Sequence, residues 1–205
     1  MPLIIASTNR GKLKEFEDLF QTNFGPQQPH VQPISDFTPQ FSVDETGQSF
    51  AENALIKANA ALAISRLPAM GDDSGLCVNA LNGEPGVRSA RWLGDNATDH
   101  DRNAGLLDLL RDVPIGRRAA FFECVLCIAF PDGAVAYGIG RCHGEISMRE
   151  HGAGGFGYDP IFVLEGAQGT FAELTSSEKN KVSHRTLALR NLKKNLVAEQ
   201  YTQLK

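Results

Sequence analysis

The chain has 205 residues, of which 42% are hydrophobic and 21% are charged, and its formal net charge at pH 7 is −4. This length and composition are those of a globular protein with one large domain or two small lobes that share a core. The acidic balance excludes the broad basic surface of a general nucleic-acid binder, but not a local cationic pocket for a small anion. Because we find neither a long apolar run nor a signal-peptide core, we expect no membrane partner and a cytoplasmic location.

The first third of the chain alternates strand and helix patterns. Residues 3–7, LIIAS, predict a short buried strand, and residues 11–20, GKLKEFEDLF, predict an amphipathic helix. Four prolines within residues 25–41 predict a surface connection, with one short edge strand at 31–34. Residues 49–65 predict a second helix, and its start carries the S-x-x-E pattern of a capping box.

The rest of the chain predicts more strands, a hairpin and two further helices. Helices are predicted at 98–110 and from Ser183 onward, and PDGA between two apolar runs predicts a β-hairpin. Strands are predicted at residues 76–80, 119–130, 134–140 and 160–163. Parallel crossovers and an antiparallel pair therefore occur together. The predicted fold class is α/β, with a mixed twisted sheet flanked by helices.

The four cysteines are Cys77, Cys124, Cys127 and Cys142. CVLC resembles half of a zinc site, but no second C-x-x-C follows it at zinc-finger spacing. The motif also lies in an apolar run typical of a buried strand, where positions three apart point to opposite faces. We therefore expect thiols that pack in the core.

Residues 6–12, ASTNRGK, connect the first strand to the first helix. Such a turn presents backbone N–H groups at the positive end of a helix dipole, which suits a phosphate. Ser7 to Asn9 add side-chain donors, and Lys12 adds a point charge. The spacing is not that of a Walker A loop, and Ser, Thr and Asn also cap helices that bind nothing. Both interpretations stay open on this stretch alone.

Two adjacent acids, Asp72 and Asp73, follow an apolar run and precede Ser74–Gly75. The sequence predicts that they lie where a buried strand ends and turns. Burying a carboxylate is costly unless it is paired or holds a metal, and Mg²⁺ binds through one or two carboxylates plus substrate phosphates. We therefore favour a Mg²⁺ site, with ordinary turn chemistry as the alternative.

A second acid pair, Asp44–Glu45, precedes the second helix, on which Asn53 and Lys57 are one turn apart. One interpretation is a metal-binding acid beside a lysine that contacts phosphate. The other is a helix with acids near its start and a solvated polar face. This stretch alone does not separate them.

Two later stretches suit a base. Residues 152–162, GAGGFGYDPIF, place Phe156 and Tyr158 among four glycines, so their rings either stack on a base or pack in the core. Residues 176–185, SSEKNKVSHR, form a cationic cluster that would donate hydrogen bonds to phosphate or carbonyl oxygens, or else a solvated helix start.

Together these stretches resemble the inosine triphosphate pyrophosphatase family, which hydrolyses non-standard purine nucleoside triphosphates. The matching pieces are STNRGKLKE, ETGQSFAENALIKA, DDSGLCVNALNGEPGVRSAR, GAGGFGYDPIF and AELTSSEKNKVSHRTLAL. They occur in the family's order from residue 3 to about residue 189. The resemblance implies one domain over residues 1–205, an elongated sheet in two α/β lobes, and a nucleotide cleft between the lobes. It also implies a homodimer, a requirement for Mg²⁺, and release of a nucleoside monophosphate and pyrophosphate from ITP, dITP or XTP.

The resemblance also implies roles for individual residues. Asp73 would be the general base and a Mg²⁺ ligand, with Asp44 as the second ligand. Asp44 stands where many members have glutamate, so Glu45 is the alternative. Thr8 stands where many members have glycine. Residues implied to bind the triphosphate or to touch substrate are Ser7, Thr8, Asn9, Arg10, Gly11, Lys12, Lys57 and Ser74. Residues implied to hold the base and ribose are Phe156, Gly157, Tyr158, Asp159, Lys179, His184 and Arg185.

A donor-rich base pocket would explain purine choice. Hypoxanthine and xanthine carry a 6-keto acceptor where adenine carries an amino donor, so Lys179, Arg185 and loop N–H groups would reject adenine. Two other functions stay open: a pyrophosphatase for modified pyrimidine nucleotides, and a nucleotide sensor without turnover. The acid pair argues against the sensor, since plain binding would avoid carboxylates beside phosphates. The absence of Walker A and kinase motifs argues against a kinase or GTPase.

Overall fold

The computed structural model describes residues 1–204, apart from the side chains of Arg10, Gln27 and Ser176. Its strands are β1 (Leu3–Ile5), β2 (Val31–Pro33), β3 (Ala69–Val78), β4 (Ala119–Ala129), β5 (Val135–Ile146) and β6 (Phe162–Leu164). Its α-helices are α1 (Arg10–Phe24), α2 (Phe50–Ser65), α3 (Asp99–Leu109), α4 (Ser176–Val182), α5 (His184–Asn195) and α6 (Ala198–Gln203). Among these helices none is long and apolar enough to cross a bilayer.

The six strands form one mixed sheet in the order β2-β1-β3-β4-β5-β6. β1 pairs in parallel with β2 and with β3, whereas β5 pairs antiparallel with β6. The predicted hairpin closes between β4 and β5, where Gly133 donates to the carbonyl of Phe130 over 3.0 Å. The predicted edge strand is β2, at one end of the sheet. The α/β fold class with a mixed sheet flanked by helices is therefore confirmed.

Both faces of β1 are covered, because successive side chains of a strand point to opposite faces. Leu3 and Ile5 belong to a buried cluster with Phe16 of α1. Ile4 belongs to a second cluster, with Ala61 of α2. Helices α1 and α2 thus pack on opposite faces of the sheet. Each fully buried aliphatic or aromatic side chain here contributes about 1.5–3 kcal/mol.

The chain divides into two compact units. The first contains residues 1–73, 124–140 and the chain from Arg185 onward, and the second contains residues 74–123 and 141–184. Helices α1 and α2 belong to the first unit, and α3 and α4 belong to the second. All four cysteines are buried and free, as the sequence predicts.

The predicted start of the third strand was wrong. β3 begins at Ala69 and continues to Val78, so Asp72 and Asp73 lie inside the strand and no turn follows them. Gly71 explains how α2 covers this part of the strand. A Cβ atom there would lie 2.1 Å from the carbonyl oxygen of Ala54. The missing side chain lets the helix backbone rest directly on the strand.

The last third holds helices that the sequence pattern did not predict. α4 begins with a capping box in which Thr175 accepts from the Glu178 N–H and Glu178 accepts from the Thr175 N–H. α5 then begins at His184, one residue after the predicted start. The capping box predicted at Ser49, at the start of α2, forms only in part. Ser49 accepts from the Glu52 N–H, but the carboxylate of Glu52 accepts from Gln48.

Candidate active site

Asp72 and Asp73 are both buried, and each carboxylate has its own lysine. Lys12 Nζ of α1 lies 2.8 Å from Asp72 Oδ2. Lys57 Nζ of α2 lies 3.0 Å from Asp73 Oδ1, and Asn53 Nδ2 donates to Asp73 Oδ2 over 3.1 Å. Because neighbouring strand residues point to opposite faces, the acid pair is divided between the two helix layers. The charge of each buried carboxylate is therefore compensated, as the sequence requires, but by a different lysine on a different face of the sheet.

The turn from β1 to α1 is a capped helix start. Asn9 Oδ1 accepts from the backbone N–H of Lys12 over 3.1 Å, and Ser7 Oγ accepts from the Asn9 N–H. Thr8, Asn9 and Gly11 are exposed, so the helix N-terminus faces solvent. The side chain of Arg10, another predicted substrate contact, lies outside the described part of the structure. Capping by Asn9 does not compete with anion binding, because an N-terminal turn has several N–H groups beyond the one that is capped.

Lys57 joins three parts of the first unit. Its ammonium donates to the backbone carbonyl of Asp72 over 2.8 Å and contacts Glu45 Oε1 at 2.7 Å as well as Asp73. Asn53, one turn earlier, accepts from the Gly47 N–H over 2.8 Å. Of the two interpretations left open for this helix, a solvated polar face does not describe Asn53 and Lys57, since both are buried. In the sequence, the only indication that Asn53 belongs to the site is its position four residues before Lys57 on the same helix.

The structure places Glu45, and not Asp44, beside Asp73. Glu45 shares the ammonium of Lys57 with Asp73, and its side chain is 23% exposed. Asp44 is exposed. This geometry favours Glu45 over Asp44 as the second metal-binding acid, because the carboxylate of Glu45 contacts the same Lys57 ammonium as Asp73.

Burial and charge shift the pKa values here in different directions. For Asp72, burial favours the neutral acid, but Lys12, Lys57 and Arg185 outweigh it and hold the pKa well below its ordinary value. For Asp73, burial is the largest effect and raises the pKa, although Lys57 and Asn53 oppose it. The pKa of Lys57 is raised, because neighbouring carboxylates outweigh its burial.

In the second unit, the glycine-rich loop separates its two rings. The side chain of Phe156 is 48% exposed, whereas Tyr158 is buried and donates from its hydroxyl to the carbonyl of Ser89 over 3.0 Å. Stacking and core packing were both open for these rings, and only Phe156 is exposed enough to stack on a base. Lys179 Nζ lies 4.7 Å from the centroid of that ring, within cation–π range.

Asp159 organises the same loop. Its Oδ2 accepts from the Phe156 N–H over 3.0 Å and from Lys179 Nζ over 2.5 Å. Gly155 has a φ of +72°, and a Cβ atom on it would lie 2.1 Å from Asp159 Oδ2. Only glycine therefore allows the loop to fold over this carboxylate. The structure thus brings Phe156, Asp159 and Lys179 together.

Three further residues of the predicted site are His184, Arg185 and Ser74. The ring of His184 is buried and stacks on Phe122, with 4.9 Å between centroids and 13° between planes. Arg185 is buried in the first unit, where its Nη1 contacts Glu15 Oε2 at 3.1 Å. Ser74, which follows Asp73 in β3, is partly exposed. His184 therefore packs in an aromatic cluster, and Arg185 is part of the charge network of Asp72.

These features agree with a known family. A model of the Ham1 family matches residues 3–195. The chain belongs to the Ham1 family. Relatives named dITP/XTP pyrophosphatase include that of Elusimicrobium minutum, 40% identical over 96% of this chain and 100% of the relative, and that of Geobacillus kaustophilus, 44% identical over 93% and 91%.

Solved structures of similar proteins share this architecture. A HAM1 protein from Coxiella burnetii superposes with a TM-score of 0.84 at 39% identity, covering 95% of this chain and 97% of that one. A protein from Mycobacterium abscessus, described as a nucleoside-triphosphatase and dITP/XTP pyrophosphatase, gives a TM-score of 0.76 at 42% identity, with coverage of 92% and 96%. Family membership therefore rests on both the sequence and the fold.

Proposed function

We propose that the chain hydrolyses non-standard purine nucleoside triphosphates, namely ITP, dITP and XTP, to the nucleoside monophosphate and pyrophosphate, with Mg²⁺ as cofactor. The observation that carries this proposal is the trio of Asp73, Lys57 and Glu45, in which the ammonium of the buried Lys57 serves two carboxylates. The names of the relatives, dITP/XTP pyrophosphatase, supply the reaction and the class of base.

The donor set fits Mg²⁺. Because Lys57 is the ammonium for both Glu45 and Asp73, this trio has one carboxylate charge more than it has cationic charge. Carboxylate oxygens are ligands that Mg²⁺ accepts, and it takes one or two of them together with substrate phosphates and water. Within residues 1–204 no three His, Cys, Asp or Glu side chains meet in a complete metal cage. A site completed by the substrate is consistent with this.

The residues of the first unit divide the work of the reaction. Mg²⁺, when bound, neutralises phosphate charge and makes coordinated water more acidic. The carboxylate of Asp73 accepts the proton of the attacking water, and Lys57 and Asn53, which bond to its two oxygens, hold it in place. Lys57 and Lys12 stabilise the negative charge that develops on the leaving pyrophosphate. The exposed amino end of α1 holds phosphate oxygens.

The second unit supplies the base site. Phe156 offers an open ring for stacking on the purine, and Lys179 beside it is a donor for the 6-keto oxygen. The expectation that loop N–H groups read this oxygen needs revision, because the N–H of Phe156 already donates to Asp159 and that of Gly157 donates to Asp99. Discrimination against adenine then rests more on side-chain donors.

Further assignments stay proposals. Ser7, Thr8, Gly11 and Ser74 are proposed to contact substrate, and His184 and Arg185 to complete the base and ribose site. Because the His184 ring is buried against Phe122, we propose that it acts by packing behind the site. The homodimer and the cytoplasmic location are likewise proposed from the resemblance.

Product identification tests the proposed function. The purified chain is incubated with ITP and Mg²⁺, and the products are separated by ion-exchange chromatography. We expect equimolar IMP and pyrophosphate, no inorganic phosphate as first product, no reaction in EDTA, and much slower turnover of ATP. Release of IDP and phosphate would overturn the pyrophosphatase assignment. Faster turnover of modified pyrimidine triphosphates, or ITP binding without turnover, would favour one of the two alternative functions.

A further inference from the structure

Both backbone polar groups of Gly157, its N–H and its carbonyl, bond to side chains of helix α3. Asp99 Oδ2 accepts from the Gly157 N–H over 2.7 Å, and Asn103 Nδ2 donates to the Gly157 carbonyl over 3.1 Å. Asp99 and Asn103 are one turn apart on the helix, so they present one acceptor and one donor along the same face. These contacts join residues 58 and 54 positions apart in the chain.

Asp99 and Asn103, which together form a clamp on Gly157, are themselves held in place. Asn103 is buried, and Arg102 contacts Asp99 Oδ1 at 2.7 Å while it donates to the carbonyl of Ala97 over 2.6 Å. The capping box of Thr98 and Asp101 fixes the first turn of α3. The donor and acceptor that meet Gly157 are therefore on a rigid element with few other conformations available to them.

The residues around Gly157 are also anchored. Before it, the Phe156 N–H donates to Asp159, and after it the Tyr158 hydroxyl donates to Ser89. Gly157 has a φ of +63°, a conformation that other residues rarely adopt. The backbone on both sides of the Phe156 ring is thus fixed, although the ring itself is half-exposed.

We infer that Asp99 and Asn103 are positioning residues, which orient the exposed ring of Phe156 for stacking on the purine base. The inference rests on the proposed function, because it assigns these residues to the base site of that same reaction. Neither side chain needs to touch the nucleotide. A ring whose backbone is ordered before binding loses less conformational entropy when the base stacks on it, and this favours affinity.

The inference predicts that loss of the clamp weakens binding of the base and leaves binding of the phosphates unchanged. Asp99→Ala and Asn103→Ala remove one end of the clamp each, and Asp99→Asn keeps an oxygen that can accept from Gly157. Asp108→Ala, which removes an exposed acid from the same helix, is the matched control. For each variant we would measure the KM and kcat for ITP, the inhibition constant of inorganic tripolyphosphate, and amide hydrogen exchange at Gly157.

We expect KM for ITP to rise several-fold in the two clamp variants, up to about tenfold, because the free energy of one charge-assisted or buried hydrogen bond is the most that the lost ordering can cost. The inhibition constant of tripolyphosphate should stay within about twofold, because that ligand lacks a base, and Gly157 exchange should accelerate. Asp99→Asn should recover part of the loss, and Asp108→Ala should match the wild type. An unchanged KM, or parallel losses for ITP and tripolyphosphate, would overturn the inference.

Failure of the proposed function gives a different result. In that case the wild type itself would not hydrolyse ITP, whatever the clamp variants do. ITP affinity is then measured by calorimetry in the wild type and in Asp99→Ala. A loss of affinity with faster Gly157 exchange would support the clamp even without turnover, and equal affinity, or no binding at all, would overturn it.

Discussion

Asp72 and Asp73 are adjacent in β3, yet their carboxylates bond to lysines on different helices, Lys12 of α1 and Lys57 of α2. The cause is the alternation of side chains along a strand. Asp72 thereby has a lowered pKa and Lys12 as its charge partner. Asp73 has a raised pKa and shares Lys57 with the carboxylate of Glu45. The two neighbours should therefore respond differently to the same substitution.

Asp73→Asn is expected to abolish most turnover while leaving triphosphate binding largely intact. The amide keeps the shape of the side chain and can still accept from Lys57, but it cannot take a proton from water. A lost general base lowers kcat by about 10²–10⁴-fold. Steady-state kinetics with ITP, together with calorimetric titration of ITP, check this. Near-normal kcat would remove Asp73 from the role of base.

Asp72→Asn is expected to act on stability more than on catalysis. It leaves the ammonium of Lys12 without its charged partner, and losing a hydrogen bond between charged groups costs about 1.5–3 kcal/mol. Urea unfolding of the variant and of Asp18→Asn, which changes an exposed acid of α1, would measure this. Wild-type stability combined with lost turnover would instead place Asp72 among the reacting groups.

Glu45→Gln is expected to raise the Mg²⁺ concentration needed for half-maximal activity, because it removes one of the two carboxylates around Lys57. Losing a ligand or its close support typically costs about 10–100-fold in metal affinity. Asp44→Asn is the matched control, since Asp44 is exposed, and it should titrate like the wild type. The reverse pattern would restore Asp44 as the second ligand.

The helices were predictable because their signals are local. The apolar stripe of α1 and the capping pair of Thr98 and Asp101 depend on residues three or four apart, and the structure retains both. The extent of β3 was not predictable in this way. Its centre, GDDSG, has the composition of a turn, and it stays extended because Lys12, 60 residues away, and Lys57 compensate the buried acids.

The candidate site likewise contains residues that the sequence indicated and residues that it did not. Asp73, Lys57 and Phe156 belong to stretches whose composition and family resemblance indicated a site. Asp99 and Asn103 had no such signal, because a capped amphipathic helix explains both residues in the sequence. Their contacts with Gly157 exist only once two distant parts of the chain have folded together. A residue that acts through another residue's backbone leaves little trace in a single sequence.

The buried thiols are expected to be unreactive in the folded protein. Burial raises the pKa of Cys77, Cys127 and Cys142 to about 11, and it raises that of Cys124 as well. Above pH 9 the unfolded chain releases thiol protons that the folded chain keeps, so the free energy of unfolding should fall between pH 9 and 11. With a disulfide reagent at pH 8, we expect four thiols to react in urea and almost none in buffer. A fast-reacting thiol in buffer would contradict the burial.

Phe156→Ala is expected to weaken ITP binding without loosening the fold. The ring is half-exposed and its backbone is fixed by Asp159 and α3, so truncation removes a stacking face but little packing. Stacking on a base is worth about 1–3 kcal/mol, which corresponds to a rise in Kd of about 5–150-fold. Phe37→Ala, which truncates another exposed phenylalanine, should bind ITP like the wild type. Calorimetry measures both affinities, and thermal unfolding should give matching Tm values. Unchanged affinity in Phe156→Ala would mean that the base binds elsewhere, and the ring would then have no part in choosing the purine.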